Sequence, residues 1–177
     1  MDNSALEQRL SGLPLLGWAL TEPDKLEFTW RVRWVCEHEC PMYNKTWACP
    51  PAVGTVEECR RRCEQYENCL IISTAAEVED IGNMAEGLAT RPGHEAVTDQ
   101  VRDILAELGA EPLVLSTQAC AICERCAWLD GQSCRFPEKM HPCVESFGIN
   151  LIPTLENLGL EYEFGRRVIT WFSLLFF

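Results

Sequence analysis

Seven of the chain's eleven cysteines fall into two groups whose residue types and spacing could hold metal. The stronger signal is Cys120-x2-Cys123-x2-Cys126, with Cys134 following. Thiolates at that spacing converge from one tight loop onto the corners of a cube, as in the opening of a bacterial ferredoxin run, whose further cysteine can ligate a neighbouring site. Zinc more often draws one paired-Cys knuckle from each of two segments. Two Cys-x2-Cys steps sharing their middle residue fit that pattern less well, and zinc stands as the alternative metal.

Cys36-x3-Cys40-x8-Cys49 supplies three thiolates without an obvious local fourth. His38, Cys134, Cys143 or an exogenous ligand are the candidates to complete it. If no protein group does so, one iron is open to a substrate or partner. The plainer alternative is a structural clip that staples the loop to a sheet and contributes folding energy.

The other cysteines read differently. Cys59 and Cys63 recur with Val56 and Tyr66 at helical intervals, and Cys69 opens an apolar run, so all three behave as small buried hydrophobes. Cys143 lies beside His141 and soon after Cys134. His38 and His141 are expected to support ligands rather than to be ligands, and His94 is expected to be solvated between two helices. Trp47 and Trp128 flank the two Cys loops, where they either keep water from the metal or simply pack. Glu138 and Glu145 are near the thiols in sequence only, with a solvated surface as the alternative for both. Arg166 and Arg167 suit a hairpin turn, with neutralisation of acidic groups as the alternative.

The elements that must position these loops can be traced from periodicity. A length of 177 residues suits a single domain, 1–177, with metal-binding loops at about 36–54 and 118–145. A helix is predicted over Asn3 to Arg9. Lys25 to Val35 reads as a strand with Phe28, Trp30, Val32 and Trp34 on one face and Arg31 and Arg33 on the other. Pro41, Pro50 and Pro51 disfavour helix through the first Cys loop. Thr55 and Glu58 have the spacing of a capping box. Strands follow at Cys69 to Thr74 and Leu113 to Ser116. Between them lie one helix from Val78 ending near Pro92 and another from Ala96 closed by Gly109. Strand, helical crossover and strand make a βαβ-type unit, expected parallel and right-handed, with Cys120 just beyond a strand's carboxyl end. Later come a short helix from Pro142 to Phe147 stopped by Gly148, a turn of helix at Thr154 to Asn157, and a hairpin pairing Leu160 to Phe164 with Val168 to Phe176. The fold class is α/β, with α+β also open: a small mixed sheet and helices bearing Cys-rich loops.

Composition sets the partners. The net charge of −12 speaks against a phosphate backbone, and no nucleic-acid partner is expected. The longest apolar run, Ile169 to Phe177, is too short to span a membrane. Without a recognisable signal peptide the chain is expected in the cytoplasm, where clustered cysteines serve metal or redox chemistry rather than disulfides. The oligomeric state is left open.

Cys36, Cys40 and Pro41, then Tyr43, Lys45, Trp47, Cys49, Pro50 and Pro51, resemble the first signature of DUF2284, a family of predicted metal-binding proteins. Cys120, Cys123, Cys126 and Cys134-Arg135-Phe136-Pro137-Glu138 resemble its second signature, continued by Pro142, Glu145, Gly148, Ile149, Asn157 and Gly159. The chain departs twice: Asn44 stands where the resemblance leads one to expect Gly, and Cys143 where it leads one to expect Ser. The resemblance implies metal binding through the seven signature cysteines. It also associates the chain with anaerobes and with corrinoid methyl-transfer systems, without fixing a reaction. Three functions compete: an electron carrier with one or two 4Fe-4S clusters serving a redox partner protein, an enzyme or activating factor with an open cluster iron, and a structural zinc-binding interaction module.

Overall fold

Two long apolar strands organise the molecule, whose computed structural model describes residues 3–162 and 165–177. In chain order the elements are α1 (Asn3–Leu10), β1 (Gly17–Thr21), β2 (Glu27–Phe28), α2 (Trp30–His38), α3 (Val56–Cys63), β3 (Cys69–Glu77), α4 (Met84–Glu107), β4 (Leu113–Leu115), β5 (Ile149–Asn150), α5 (Ile152–Leu158) and β6 (Val168–Phe176). Short 3-10 turns occupy Pro23–Lys25, Ala127–Asp130 and Val144–Phe147. The main sheet has the order β1-β3-β6-β4, and β2 pairs with β5 in a separate ribbon.

The protein is mixed α and β, as its sequence leads one to expect. β3 runs Cys69 to Glu77, and its first six residues are buried without alternation. Such a run signals a strand covered on both faces. Leu70 and Ile72, with Val114 and Leu175, pack under Leu6, Leu10, Val101, Ile104 and Leu105 of α1 and α4. Cys69 and Ile71, with Leu115, Leu174 and Phe176, face Cys59, Cys63, Phe147, Ile149 and Leu155 on the other side. Each fully buried aliphatic side chain contributes roughly 1.5–3 kcal/mol relative to exposure.

The strand–helix–strand unit is present, but its strands are not paired. α4 carries the chain from β3 to β4, and both strands pair antiparallel with β6, so they run the same way with β6 between them. Every pairing in the sheet is antiparallel. β6 is apolar enough to demand a central place, and its register with β3 spans Cys69↔Phe176 to Glu77↔Val168. The expected hairpin is not formed where it can be read: Leu160 to Tyr162 are not in a strand, β6 has β3 and β4 on its two sides, and Glu163 and Phe164 lie outside the described residues.

Two further expectations are corrected. The segment read as a strand to Val35 is helical from Trp30. Thr29 caps it, its hydroxyl accepting from the Arg31 N–H at 3.3 Å. Helical pitch puts Trp30 and Trp34 together on the exposed side and buries Arg33 and Cys36. The two helices expected around Pro92 are one, α4, with Pro92 inside it. The missing N–H is tolerated because the C-terminal half is fixed by burial of Val97, Val101 and Leu105, and the Arg91–Glu95 pair at 3.1 Å spans the proline.

His94, expected in solvent, is buried on α4. Thr74 Oγ1 lies 2.9 Å from its Nδ1 and Ser173 Oγ lies 2.8 Å from its Nε2. Ser173 donates to Ser116, which donates to Glu95. With its proton committed there, Ser173 accepts from Nε2–H, and Thr74 donates to Nδ1. This neutral tautomer satisfies every member of the chain. Burial, the main cause, lowers the His94 pKa to about 4. The unfolded state therefore binds a proton that the folded state refuses between about pH 6.5 and pH 4. Across that window His94 should remove up to roughly 3 kcal/mol of stability, with the full contribution present above it. Urea unfolding of wild type and His94→Gln from pH 7 to pH 4 checks this: the wild type should lose more stability than the variant.

Candidate metal centre

Cys36 sits on the last turn of α2, and Cys40 follows at once, its N–H bonded to Val35 O at 3.1 Å. Tight turns then carry the chain to Cys49. Tyr43 N–H bonds Cys40 O, Asn44 N–H bonds Pro50 O, and Cys49 N–H bonds Thr46 O. The backbone of this loop is satisfied locally, as a segment outside regular structure requires. Cys36, Cys40 and Cys49 line one cavity of about 260 Å³, together with Cys143, Glu145, Gln118, Ala119, Val35, Tyr43 and Pro50.

The second group closes around its own cavity. Cys120, Cys123, Cys126 and Cys134 line it with Trp47, Ile122, Ala127, Phe136 and Met140. Its free volume is about 10 Å³, so a cluster enters only if the loop opens. The loop is braced by Arg125–Asp130 at 2.8 Å and by Arg135 donating to Arg125 O at 2.8 Å. Arg91 pins the approach to Cys120 by donating to Ala119 O at 2.7 Å.

The two cavities draw their linings from the same two segments. Residues 118–119 line the first while Cys120 lines the second; Trp47 lines the second while Cys49 lines the first. Trp47 and Trp128 meet edge to face at 4.7 Å. Each indole donates across the boundary, Trp47 to Gln132 O at 2.9 Å and Trp128 to Asn44 Oδ1 at 2.8 Å. Asn44 has φ 57 and Gln118 φ 58, both left-handed. Asn tolerates that conformation better than most residues. Its presence in place of the expected Gly supplies the amide that receives Trp128.

A buried cation adjoins the first cavity. Arg33 is 6% exposed, one turn before Cys36. It donates to Gly54 O at 2.8 Å, to Ser146 O, and to Cys59 Sγ at 3.6 Å. Its Nε has no partner. Among the described residues no carboxylate forms an ion pair with it. A buried cation without a counter-charge is expensive, and thiolate formed at Cys36 on binding metal would offset that cost.

Burial favours the neutral thiol at Cys36, Cys49, Cys120 and Cys143. Burial, then Glu145 and Cys40, pushes the Cys36 thiol up to about 11, with Arg33 working against them. Burial also raises Cys49, with Cys40, Cys120 and Cys126 adding to it. The buried Thr46 hydroxyl makes no bond of ordinary geometry, yet its interaction with the Cys49 sulfur works the other way. Burial dominates at Cys120, opposed by the Ile122 N–H on its sulfur, and at Cys143, opposed by the Ser146 N–H. A bound cation reverses this balance, because metal binding deprotonates thiols. Soft, dry thiols beside an unpaired cation fit an anionic thiolate–metal centre at the first cavity, and the four-thiol donor set fits one at the second.

The remaining candidates are separate. His38 is exposed, its Nδ1 against Trp34 O at 2.9 Å and its ring stacked on Trp34 at 4.5 Å, and it lines neither cavity. His141 faces Asp99 at 3.2 Å. Glu138 is exposed and lines neither cavity, whereas Glu145 reaches the first. Cys59, Cys63 and Cys69 are fully buried in the core, with burial pushing Cys63 up to about 12. Among the described residues, no three Cys, His, Asp or Glu side chains meet at the spacing of a single-ion site. Alternation in this segment predicts a strand with Arg33 on its polar face; the capping Thr29 is the signal for the helix that buries it.

A family model for predicted metal-binding proteins, DUF2284, matches residues 19–177, and the chain belongs to that family. No curated protein and no solved structure matches it. No helix among the described residues is long and apolar enough to cross a membrane.

Replacing Arg33 by Met should cost at least about 3 kcal/mol, because it strands the Gly54 and Ser146 carbonyls and removes two charge-assisted bonds. Denaturant unfolding gives the stability loss. Metal analysis of the same preparation should show depletion at the Cys36 group.

Proposed function

We propose that this protein is an iron–sulfur carrier, binding one or two 4Fe-4S clusters and passing electrons to a partner protein. One observation carries the proposal: the seven signature thiols line two cavities built from neighbouring residues of the same two segments, Trp47 and Cys49 in one segment and Ala119 and Cys120 in the other. Adjacent redox centres relay electrons; a pair of structural clips has no need to be neighbours. Zinc draws its thiolates to about 2.3 Å from one point. Here the first-group thiols are spread around a cavity of about 260 Å³, which suits a wider cluster.

The first cavity's rim supports an exit to a partner. Val35 and Tyr43 line it and are exposed, and Trp30 and Trp34 lie on the outer side of the same helix. The partner class is a redox protein, with corrinoid methyl-transfer systems the associated context. The cytoplasm suits all of this, since all eleven cysteines are free and reducing conditions keep them so.

A second reading has its own observation. A cavity of about 630 Å³ lies between α4 and the Cys120 segment, lined by Arg91, Glu95, Asp99, Lys139 and His141 among others. If this protein is an enzyme, that is where a small molecule would meet a cluster ligand.

Anaerobic purification followed by iron, sulfide and zinc analysis, absorption and EPR tests the proposal. About four or eight irons per chain, matched by sulfide and with a reducible visible band, is the expected result. Zinc in stoichiometric amount without visible absorption would refute it. Cys63→Ala should leave the iron content unchanged while costing about 1 kcal/mol of stability.

A further inference from the structure

We infer that Cys143 is the fourth thiolate of the Cys36/Cys40/Cys49 site, so that this site is coordinatively complete. The inference rests on the iron–sulfur reading and narrows it, since a complete site carries electrons and offers no open iron.

The geometry is specific. Cys143 lines the same cavity as the other three thiols and is 8% exposed. Its backbone is fixed from both sides. Ser116 N–H donates to Pro142 O at 2.8 Å, and Val144 N–H donates to Ser116 O at 3.1 Å, forming a parallel bridge at the end of β4. The following turn is tied to α2 through Arg33, which donates to Ser146 O. α2 carries Cys36, so the bond that anchors Cys36 also brings Cys143 to it. Ser146 closes the turn on the same residue, its N–H donating to Cys143 O at 3.0 Å and its hydroxyl to the same carbonyl at 2.6 Å.

The competing ligands are placed elsewhere. His38 is turned to the Trp34 carbonyl and ring. Cys134 lines the other cavity. Cys59 lies behind Arg33 in the core, its Sγ donating to Val53 O at 3.4 Å. Glu145 reaches the cavity, but it is an exposed carboxylate and a harder ligand than thiolate. A site of four thiolates is also more anionic than one of three. Glu145 opposes added negative charge at both Cys36 and Cys143, and Arg33 acts the other way at Cys36, so a bound metal must supply the rest of the opposing charge.

The test uses the full chain, purified anaerobically as wild type, Cys143→Ala and Cys143→Ser, with cyanide as the probe for an open iron. The readouts are iron per chain, the EPR of oxidised and reduced samples, and the change in each on adding cyanide. Wild type should hold its clusters with spectra indifferent to cyanide. In the variants the first cluster should lose iron, giving either a three-iron EPR signal or about half the wild-type iron, or its reduced spectrum should become cyanide-sensitive. Should Cys143→Ala fold poorly, the near-isosteric Cys143→Ser and the wild-type cyanide response still decide. Unchanged iron, unchanged spectra and no cyanide response in a folded variant would overturn the inference and leave the iron–sulfur reading intact, as would a wild-type cluster that binds cyanide. Wild type without iron would overturn both.

Discussion

The burial of one guanidinium governs how this protein presents its thiols. Arg33 bonds the Gly54 carbonyl, just past Cys49, and the Ser146 carbonyl, just past Cys143, from the helix that carries Cys36. Three segments far apart in sequence are thereby held to one point. Taking a cation out of water costs several kcal/mol unless it is paired, and neutral carbonyls alone do not neutralise it. Cys59 Sγ lies 3.6 Å away as a neutral buried thiol, while Cys36 interacts with the cation through space and would become anionic on binding metal. The cation that assembles the site and the anion that a metal site creates thus stabilise each other.

The sheet's part is to bring the second loop to the first. β4 is only three residues long and ends where the chain bridges to Cys143. The segment after it contributes lining residues to both cavities. Its left-handed Gln118 is the kind of costly backbone that persists only where the surroundings over-determine it. The mutual indole bonds of Trp47 and Trp128 then lock the loops edge to edge. Gly148 makes the remaining close approach. Its φ is 77, and a Cβ there would sit 2.9 Å from Val56 Cγ2. The glycine lets the turn after Cys143 lie against α3 while its carbonyl receives the Thr29 N–H at 2.7 Å.

Much of this was legible in the chain, and the exceptions have physical causes. The Thr55–Glu58 capping box, the buried run from Cys69 and the glycine stops are local signals, and the structure forms each of them. α2 reads as a strand because Trp30, Val32 and Trp34 alternate as a strand would. What decides the segment is Arg33, whose carbonyl partners lie 21 and 113 residues away. β6 entering between β3 and β4 is likewise a long-range event, and no local pattern reports which neighbour a strand takes. His94 reads as a solvated loop residue only if Pro92 ends a helix. Once α4 runs through, the ring must find buried partners, and Thr74 and Ser173 provide them. Cys143 was ambiguous because its distance in sequence from Cys49 hides its place in the same cavity.

The two sites differ in how far folding alone prepares them, and the order reverses what their cysteine spacing suggests. Around the first group Thr46, Ala48, Cys49, Pro50 and Val53 are buried, so the loop belongs to the core. Between Cys120 and Met140, Ala127 alone is buried. That loop has no apolar core to offset its ordering entropy, roughly 1–2 kcal/mol per residue. Its internal bonds are mostly exposed and individually weak. Its cavity is nearly closed, which fits a loop collapsed on itself rather than one held open. The compact Cys-x2-Cys-x2-Cys spacing lets few residues wrap a metal without a scaffold, whereas the wide spacing of the first group works only because helix, arginine and sheet edge define its shape. Metal held by these thiols would therefore couple most tightly to folding at the Cys120 loop, and the Cys36 cavity is the one the fold prepares in advance.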